Sequence, residues 1–196
     1  MTPRIARGML ILIVGPSGAG KDTLIAAACS AFRGDGCIVF PQRIITRGAD
    51  GGAEQHLPMT SKSFCTAERA GQFFLSWRSH GHSYALPSSI AEDLDRGRFV
   101  VVNVSRTVVT LAEERVERVC VIHVTAAPAV LAARLAARGR ENADAIQPRL
   151  ERAVPLAATR SIPMEINNDG AIASAAAAFI AALKRLTAAG PAETAK

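Results

Sequence analysis

Met9-Leu10-Ile11-Leu12-Ile13-Val14 runs without a polar residue straight into Gly15-Pro16-Ser17-Gly18-Ala19-Gly20-Lys21-Asp22. Consecutive aliphatic side chains leave no position facing water, the pattern of a strand buried on both faces of a parallel sheet. Beyond the glycines, Leu24, Ile25, Ala28 and Phe32 recur at helical spacing until Gly34 and Gly36 end the pattern. Strand, glycine loop and helix in that order make a phosphate-binding loop. The glycines let successive backbone N–H groups converge on phosphate oxygens, and the helix N-terminus adds the positive end of its dipole. Gly15, Pro16, Ser17, Gly18, Ala19, Gly20, Lys21, Asp22 and Thr23 are the candidate nucleotide-binding residues, with Lys21 reaching the β- and γ-phosphates and offsetting charge during transfer.

One position departs from the usual loop. A Ser or Thr normally follows the lysine and ligates Mg²⁺ through its hydroxyl; here Asp22 stands there, with Thr23 next. Further on, Val101-Val102-Asn103-Val104 carries an amide where a strand-end aspartate often holds the metal. Mg²⁺ prefers oxygen ligands, so Asp22 is the expected metal residue, acting directly or through water in place of the missing carboxylate.

Apolar runs at Cys37 to Phe40, Phe99 to Val104, Val119 to Val124 and Ile162 to Ile166 are separated by segments of helical character. That alternation predicts an α/β fold, a sheet of about five parallel strands with helices on both faces. The expected core covers residues 9–40 and 98–187 of a single domain. Residues 41–97 read as an insertion over the acceptor substrate, with a helix at Ser61 to Ala70 and strand-like pieces at Gln72 to Trp77 and Ser83 to Leu86. Ala127 to Arg138 and Ala145 to Thr159 read as helices joined by the polar turn Gly139-Arg140-Glu141-Asn142, a candidate lid at about 138–149. A frayed tail is expected over 188–196.

A chain of 196 residues, 49% apolar and 20% charged, is a globular domain rather than a disordered one. The net charge of +6 comes without any run of like charges, which argues against a nucleic-acid partner. Only Lys21, Lys62, Lys184 and Lys196 are lysines, so arginine, whose planar fork suits phosphate oxygens, carries the excess. Cys29, Cys37, Cys65 and Cys120 form no C-x-x-C pair and read as free thiols of a cytoplasmic protein, Cys29 and Cys120 buried in apolar stretches. No apolar stretch is long enough to span a bilayer, so no membrane partner is expected.

Arg134, Arg138, Arg140 and Arg149 cluster around the candidate lid. A solvated helix face is one reading; the other is that Arg138, Arg140 and Arg149 clamp the transferring phosphoryl group as the lid excludes water, with Arg134 stacked on the adenine. Arg43, Arg47 and Arg78, in that order, are the candidate cations for acceptor phosphates. His56, Trp77 and His82 are candidate lining of the acceptor pocket, Trp77 being equally suited to packing. His123 lies in a strand and reads as a hydrogen-bonded core residue.

Together these motifs resemble the guanylate kinase fold of the P-loop nucleoside monophosphate kinases, from Met9 to about Leu186. The similar features are the glycine loop, Arg43-Ile44-Ile45-Thr46-Arg47, Arg134-Leu135-Ala136-Ala137-Arg138 leading into the lid, and Asn167-Asn168-Asp169. The resemblance implies that Asn168 lies near the adenine and that Tyr84 contacts acceptor phosphate. It does not extend to the guanine-reading acid, because the family's Phe-Leu-Glu corresponds to Phe74-Leu75-Ser76. The Lys21-Asp22 pair, Leu75-Ser76-Trp77, Gly139-Arg140-Glu141-Asn142 and Asn167-Asn168-Asp169-Gly170 resemble instead the ribose 1,5-bisphosphate phosphokinases of phosphonate degradation. That family implies ATP and Mg²⁺ as cofactors and ribose 1,5-bisphosphate as the small-molecule acceptor, giving 5-phosphoribosyl 1-diphosphate. It leaves a homodimer open. The rival readings are a nucleoside monophosphate kinase, against which Ser76 speaks, and a non-catalytic binding module, against which the intact loop speaks.

Overall fold

The computed structural model describes residues 4–47, 56–79, 81–137, 160, 163–188 and 190. Two sheets organise it. The first holds β1 (Met9–Val14), β2 (Ile38–Val39), β7 (Phe99–Asn103), β8 (Val119–Thr125) and β9 (Met164–Asn167). Its order is β2-β7-β1-β8-β9, with every pair parallel. This is the five-stranded parallel sheet that the sequence predicts.

The aliphatic run of β1 divides by parity. Leu10, Leu12 and Val14 enter one apolar cluster and Ile11 and Ile13 the other, all fully buried. Each contributes on the order of 1.5–3 kcal/mol of burial, which explains why no polar residue interrupts the run. The second cluster includes Leu24 and Ala28 of α1 (Lys21–Ala31) and Ala175, Phe179 and Leu183 of the C-terminal helix. The first cluster is covered by Ile90 and Leu94 of α3 (Ser89–Asp95), by Val108 on the 3₁₀ turn Arg106–Val108, and by Val109 and Ala112 of α4 (Val109–Arg115). Helices therefore lie on both faces.

Alternation along β7 and β8 decides which residues reach which face. Phe99 and Val101 join the cluster on the α1 side, so Asn103 points to that side at the strand's end. Val121 joins the opposite cluster, so His123 faces the 3₁₀ turn and α4.

The second sheet is β4-β3-β6-β5, built from β3 (Ile44–Ile45), β4 (Leu57–Pro58), β5 (Phe73–Ser79) and β6 (His82–Pro87). One of its faces carries Phe74, Trp77 and Leu86 into the cluster shared with α3 and α4. On the other, Ile44 and Ala85 pack with Phe64 of α2 (Ser61–Arg69), whose N-cap Thr60 accepts a 3.1 Å bond from the Ser63 N–H. Sequence patterning gives no sign of β3, β4 or α3, whereas α4 falls in the helical segment expected between Val104 and Val119.

After β8 come α5 (Pro128–Ala137), β9 and α6 (Ile172–Ala188). Helix α6 runs to Ala188, and Arg118 Nη2 donates to the Gly190 carbonyl at 3.0 Å; residues 189 and 191–196 of the predicted tail lie outside the described residues. The predicted turn Gly139–Asn142 and helix Ala145–Thr159 lie outside the described residues. No described helix is long and apolar enough to cross a membrane.

Candidate active site

The phosphate loop leaves the carboxyl end of β1, the edge of an open α/β sheet where ligands bind. Gly15, Gly18 and Gly20 hold φ of 149°, 84° and 87°, values that side chains strongly disfavour. A Cβ on Gly15 would collide with the Val124 carbonyl, and one on Gly20 with the Asn168 amide nitrogen. Helix α5 flanks the same loop, since a Cβ on Gly18 would lie 3.3 Å from the Leu131 carbonyl. Lys21 Nζ donates to the Gly15 and Pro16 carbonyls at 2.9 Å each, which keeps the ammonium over the loop. Gly20 caps α1 with no side-chain hydrogen bond, so backbone donors face the cradle. These residues fit a polyphosphate.

Asp22, in the first turn of α1, meets Asn103 at the end of β7: Asn103 Nδ2 donates to Asp22 Oδ1 at 2.7 Å. The substituted carboxylate and the strand end that lacks one thus lie side by side. Asn103 is 9% exposed, and an amide there satisfies one oxygen of Asp22 without adding charge. Among the described residues no group of three or more His, Cys, Asp or Glu could hold a metal.

Asn168 is 1% exposed and donates from Nδ2 to the Ala19 carbonyl at 2.8 Å. Its Nδ2 thus supports the loop backbone, while its Oδ1 is buried with no hydrogen-bond partner among the described residues. The neighbouring Asp169 accepts from the Ala127 N–H ahead of α5 and from Asn167 Nδ2 at 2.8 Å. Those two bonds, with Arg134 nearby, hold its carboxyl below the usual aspartate value. Arg134 Nη1 is buried with no hydrogen-bond partner among the described residues. Asn168, Asp169 and Arg134 therefore gather beside the loop.

On the second sheet, Arg43 lies over the Tyr84 ring, 5.5 Å from its centroid, and Tyr84 stacks on Trp77 at 5.4 Å and 9°. Trp77 is 6% exposed and forms the packed floor beneath Tyr84. His56 Nε2 lies 3.3 Å from the Arg47 carbonyl, bringing those two candidates together. Arg78 lies apart from Arg43 and Tyr84. Its fork pairs with Glu68 of α2, Nη1 to Oε1 at 3.0 Å and Nη2 to Oε2 at 2.5 Å, and its Cζ lies 5.0 Å from the Phe64 centroid. Ser76 Oγ donates to the same carboxylate at 2.7 Å. Arg78 thus belongs to the α2 side of the sheet, because strand parity turns it away from Trp77 and Tyr84.

Arg138, Arg140 and Arg149 lie outside the described residues. Cys29 is exposed, and Cys120 is only partly buried, with burial raising its thiol pKa. The uninterrupted alanines around Cys29 hide which face of α1 is the wet one. Arg106 and the partner role of His123 went unseen in the sequence. A lone arginine after a strand carries no motif, and only the strand parity of Val121 and His123 hints at the pairing.

Residues 10–154 match the AAA domain family. The ribose 1,5-bisphosphate phosphokinase PhnN of Acidiphilium cryptum (strain JF-5) is 49% identical over 179 residues, covering 91% of this chain and 93% of that one. The protein of the same name from Rhodopseudomonas palustris is 48% identical over 153 residues, 78% of each chain. Among solved structures, guanylate kinase from Anaplasma phagocytophilum superposes with a TM-score of 0.64 over 96% of this chain and 89% of that one, at 15% identity, a likeness of fold alone. Shared sequence over nine-tenths of the chain, on an intact phosphate loop, decides the matter: this chain belongs to the ribose 1,5-bisphosphate phosphokinase family.

Proposed function

We propose that the protein transfers the γ-phosphoryl group of ATP to the 1-phosphate of α-D-ribose 1,5-bisphosphate, giving ADP and 5-phosphoribosyl 1-diphosphate. The observation that carries this reading is the joined pair of Asp22 and Asn103 beneath an intact loop. It keeps one carboxylate at the place where P-loop kinases hold their metal. Bound Mg²⁺-ATP supplies the phosphoryl group and neutralises charge on the transferring oxygens.

Each residue then has a defined task. The loop N–H groups from Ser17 to Thr23 hold the donor phosphates, and Lys21 orients them. Asp22 holds the metal or its water, oriented by the Asn103 amide. Asn168 keeps the Ala19 carbonyl turned inward and so sets the loop's shape. Arg43, braced over Tyr84, and Arg47, tied to His56, provide cations for the two acceptor phosphates. Arg138, Arg140 and Arg149 close over the transferring group. The attacking phosphate oxygen is already ionised at neutral pH, so no side-chain base is needed.

The Ser76–Glu68–Arg78 network favours a sugar phosphate over a guanine nucleotide. The serine where guanylate kinases carry a base-reading acid is bonded to Glu68, whose carboxylate is itself matched by Arg78. The free thiols among the described residues support a cytoplasmic location. Phosphorus NMR of the product tests the reaction. Beside the coupled pair of ADP, a second pair of coupled diphosphate resonances and one monoester are expected from the bisphosphate and ATP; the ADP pair alone beside unchanged or new monoesters would contradict the proposal.

A further inference from the structure

Arg106 opens the 3₁₀ turn that follows β7, three residues beyond Asn103. It is therefore at the carboxyl edge of the sheet, but on the face opposite Asp22. There its Nη2 lies 2.9 Å from His123 Nε2. An arginine has only donors, so this bond requires an unprotonated Nε2 and puts the ring hydrogen on Nδ1. Nδ1 faces Glu165 Oε1 at 3.6 Å, across the register pair His123–Glu165. His123 is also in register with Val14, the residue immediately before Gly15.

Among the described residues, the groups facing His123 are thus Arg106, Glu165 and Lys21. Burial, then the charge of Arg106, with a smaller part from Lys21, push the imidazole below its usual 6.5, while Glu165 opposes them. Burial also lowers the pKa of the Arg106 guanidinium. Desolvation costs a cation free energy, and this one sits within electrostatic reach of the phosphate loop.

The surroundings decide which phosphate such a cation serves. The donor cradle, Asp22 and Asn103 are on the α1 face. Arg106 lies on the other, where Val104, Val108 and Val109 share a cluster with Trp77 and Leu86 and where Tyr84 packs. Arg115 Nη1 also donates to the Phe74 carbonyl, fixing α4 to β5. Arg106 is therefore between the loop and the sheet that carries Arg43 and Tyr84.

We propose that Arg106 binds a phosphate of the acceptor at the transfer site, and that His123 is a positioning residue that orients its guanidinium. This rests on the acceptor being a phosphorylated small molecule, as in the function proposed above. The 2.9 Å bond to the imidazole orients the plane of the fork, a geometry suited to bidentate recognition of a phosphate.

Steady-state kinetics with ATP and ribose 1,5-bisphosphate varied in turn test it. Arg106→Gln should lower kcat/KM for the bisphosphate by about 100-fold or more while KM for ATP moves less than about threefold. Arg106→Lys, which retains the charge in case the first variant does not fold, should lose about tenfold on the same parameter. His123→Ala should raise the acceptor KM by about tenfold, and His123→Gln, whose carbonyl can accept the same bond, should restore it to within about threefold. Below the usual histidine range the wild type should lose acceptor affinity that His123→Gln retains. Substrate phosphate titration is common to both proteins, so the difference reports His123. Equal effects of Arg106→Lys on both substrates, or identical pH profiles for wild type and His123→Gln, would overturn the assignment. If the wild type turns over a different phosphorylated acceptor instead, the same comparisons made with that acceptor decide the role of Arg106 separately from the identity of the substrate.

Discussion

Asn103 Nδ2 and Asp22 Oδ1 are 2.7 Å apart, joining the end of β7 to the first turn of α1 across 81 residues of sequence. The exchange of groups is spatially compensated. The strand end has an amide where a carboxylate is usual, and the helix has a carboxylate where a hydroxyl is usual. Asp22→Asn removes the only charge of the pair and leaves two amides in contact. Turnover at saturating ATP should fall by about 100-fold or more, with a raised Mg²⁺ requirement, because the residue acts on developing phosphate charge. Thermal unfolding should change little. Unchanged Mg²⁺ dependence in a rate assay would remove Asp22 from the metal site.

The loop glycines offer an internal comparison. Gly34 has φ of 88° and open space around its Cβ position, so Gly34→Ala should cost about 1 kcal/mol, the left-handed backbone penalty alone. Gly15→Ala adds a collision with the Val124 carbonyl and should cost about 3 kcal/mol or prevent folding. Asn168→Ala should cost about 1–3 kcal/mol by leaving the Ala19 carbonyl buried without its partner, and should raise KM for ATP. Urea denaturation checks all three; equal losses for Gly15→Ala and Gly34→Ala would show that the close approach to β8 is unimportant.

The two arginines of the second sheet should behave differently. Arg43→Ala should raise the acceptor KM by about tenfold or more, since Arg43 lies over Tyr84, and Arg78→Ala by less than about threefold, since strand parity turns Arg78 towards Glu68 of α2 and away from Tyr84. Arg78 and Ser76 hold the Glu68 carboxyl below its ordinary value of 4.5. A depressed acid stabilises the fold above its unfolded pKa and ceases to do so as the pH falls through the folded one. This pair is largely exposed, so Arg78→Ala should cost no more than about 1 kcal/mol at neutral pH. Denaturation curves of variant and wild type should converge below pH 4.5. A difference that persists in acid would assign the loss to packing on Phe64 instead.

The parallel sheet was legible because burial on both faces leaves a continuous aliphatic signal, as in Met9–Val14 and Phe99 to Val102. The phosphate loop was legible because its chemistry is local: seven consecutive residues supply the turn, the donors and the cation. What escaped depends on partners far along the chain. Strands of two residues such as Ile44–Ile45 exist through pairing with Ala85 and Tyr84, which no local pattern encodes. Arg78 reads as an exposed cation until Glu68 is seen 10 residues back on α2. Asn103 was recognised as a missing carboxylate, but that it would touch Asp22 follows only from the parity that turns β7 towards α1.

The central claim is that a P-loop kinase site here phosphorylates a sugar phosphate rather than a nucleotide. The direct measurement is ADP release with ribose 1,5-bisphosphate, GMP, AMP and ribose 5-phosphate offered in parallel. Turnover with the bisphosphate should exceed that with each of the others by about 100-fold or more, the discrimination expected when a site's polar groups are matched to one acceptor. Strong turnover with GMP and none with ribose 1,5-bisphosphate would contradict it.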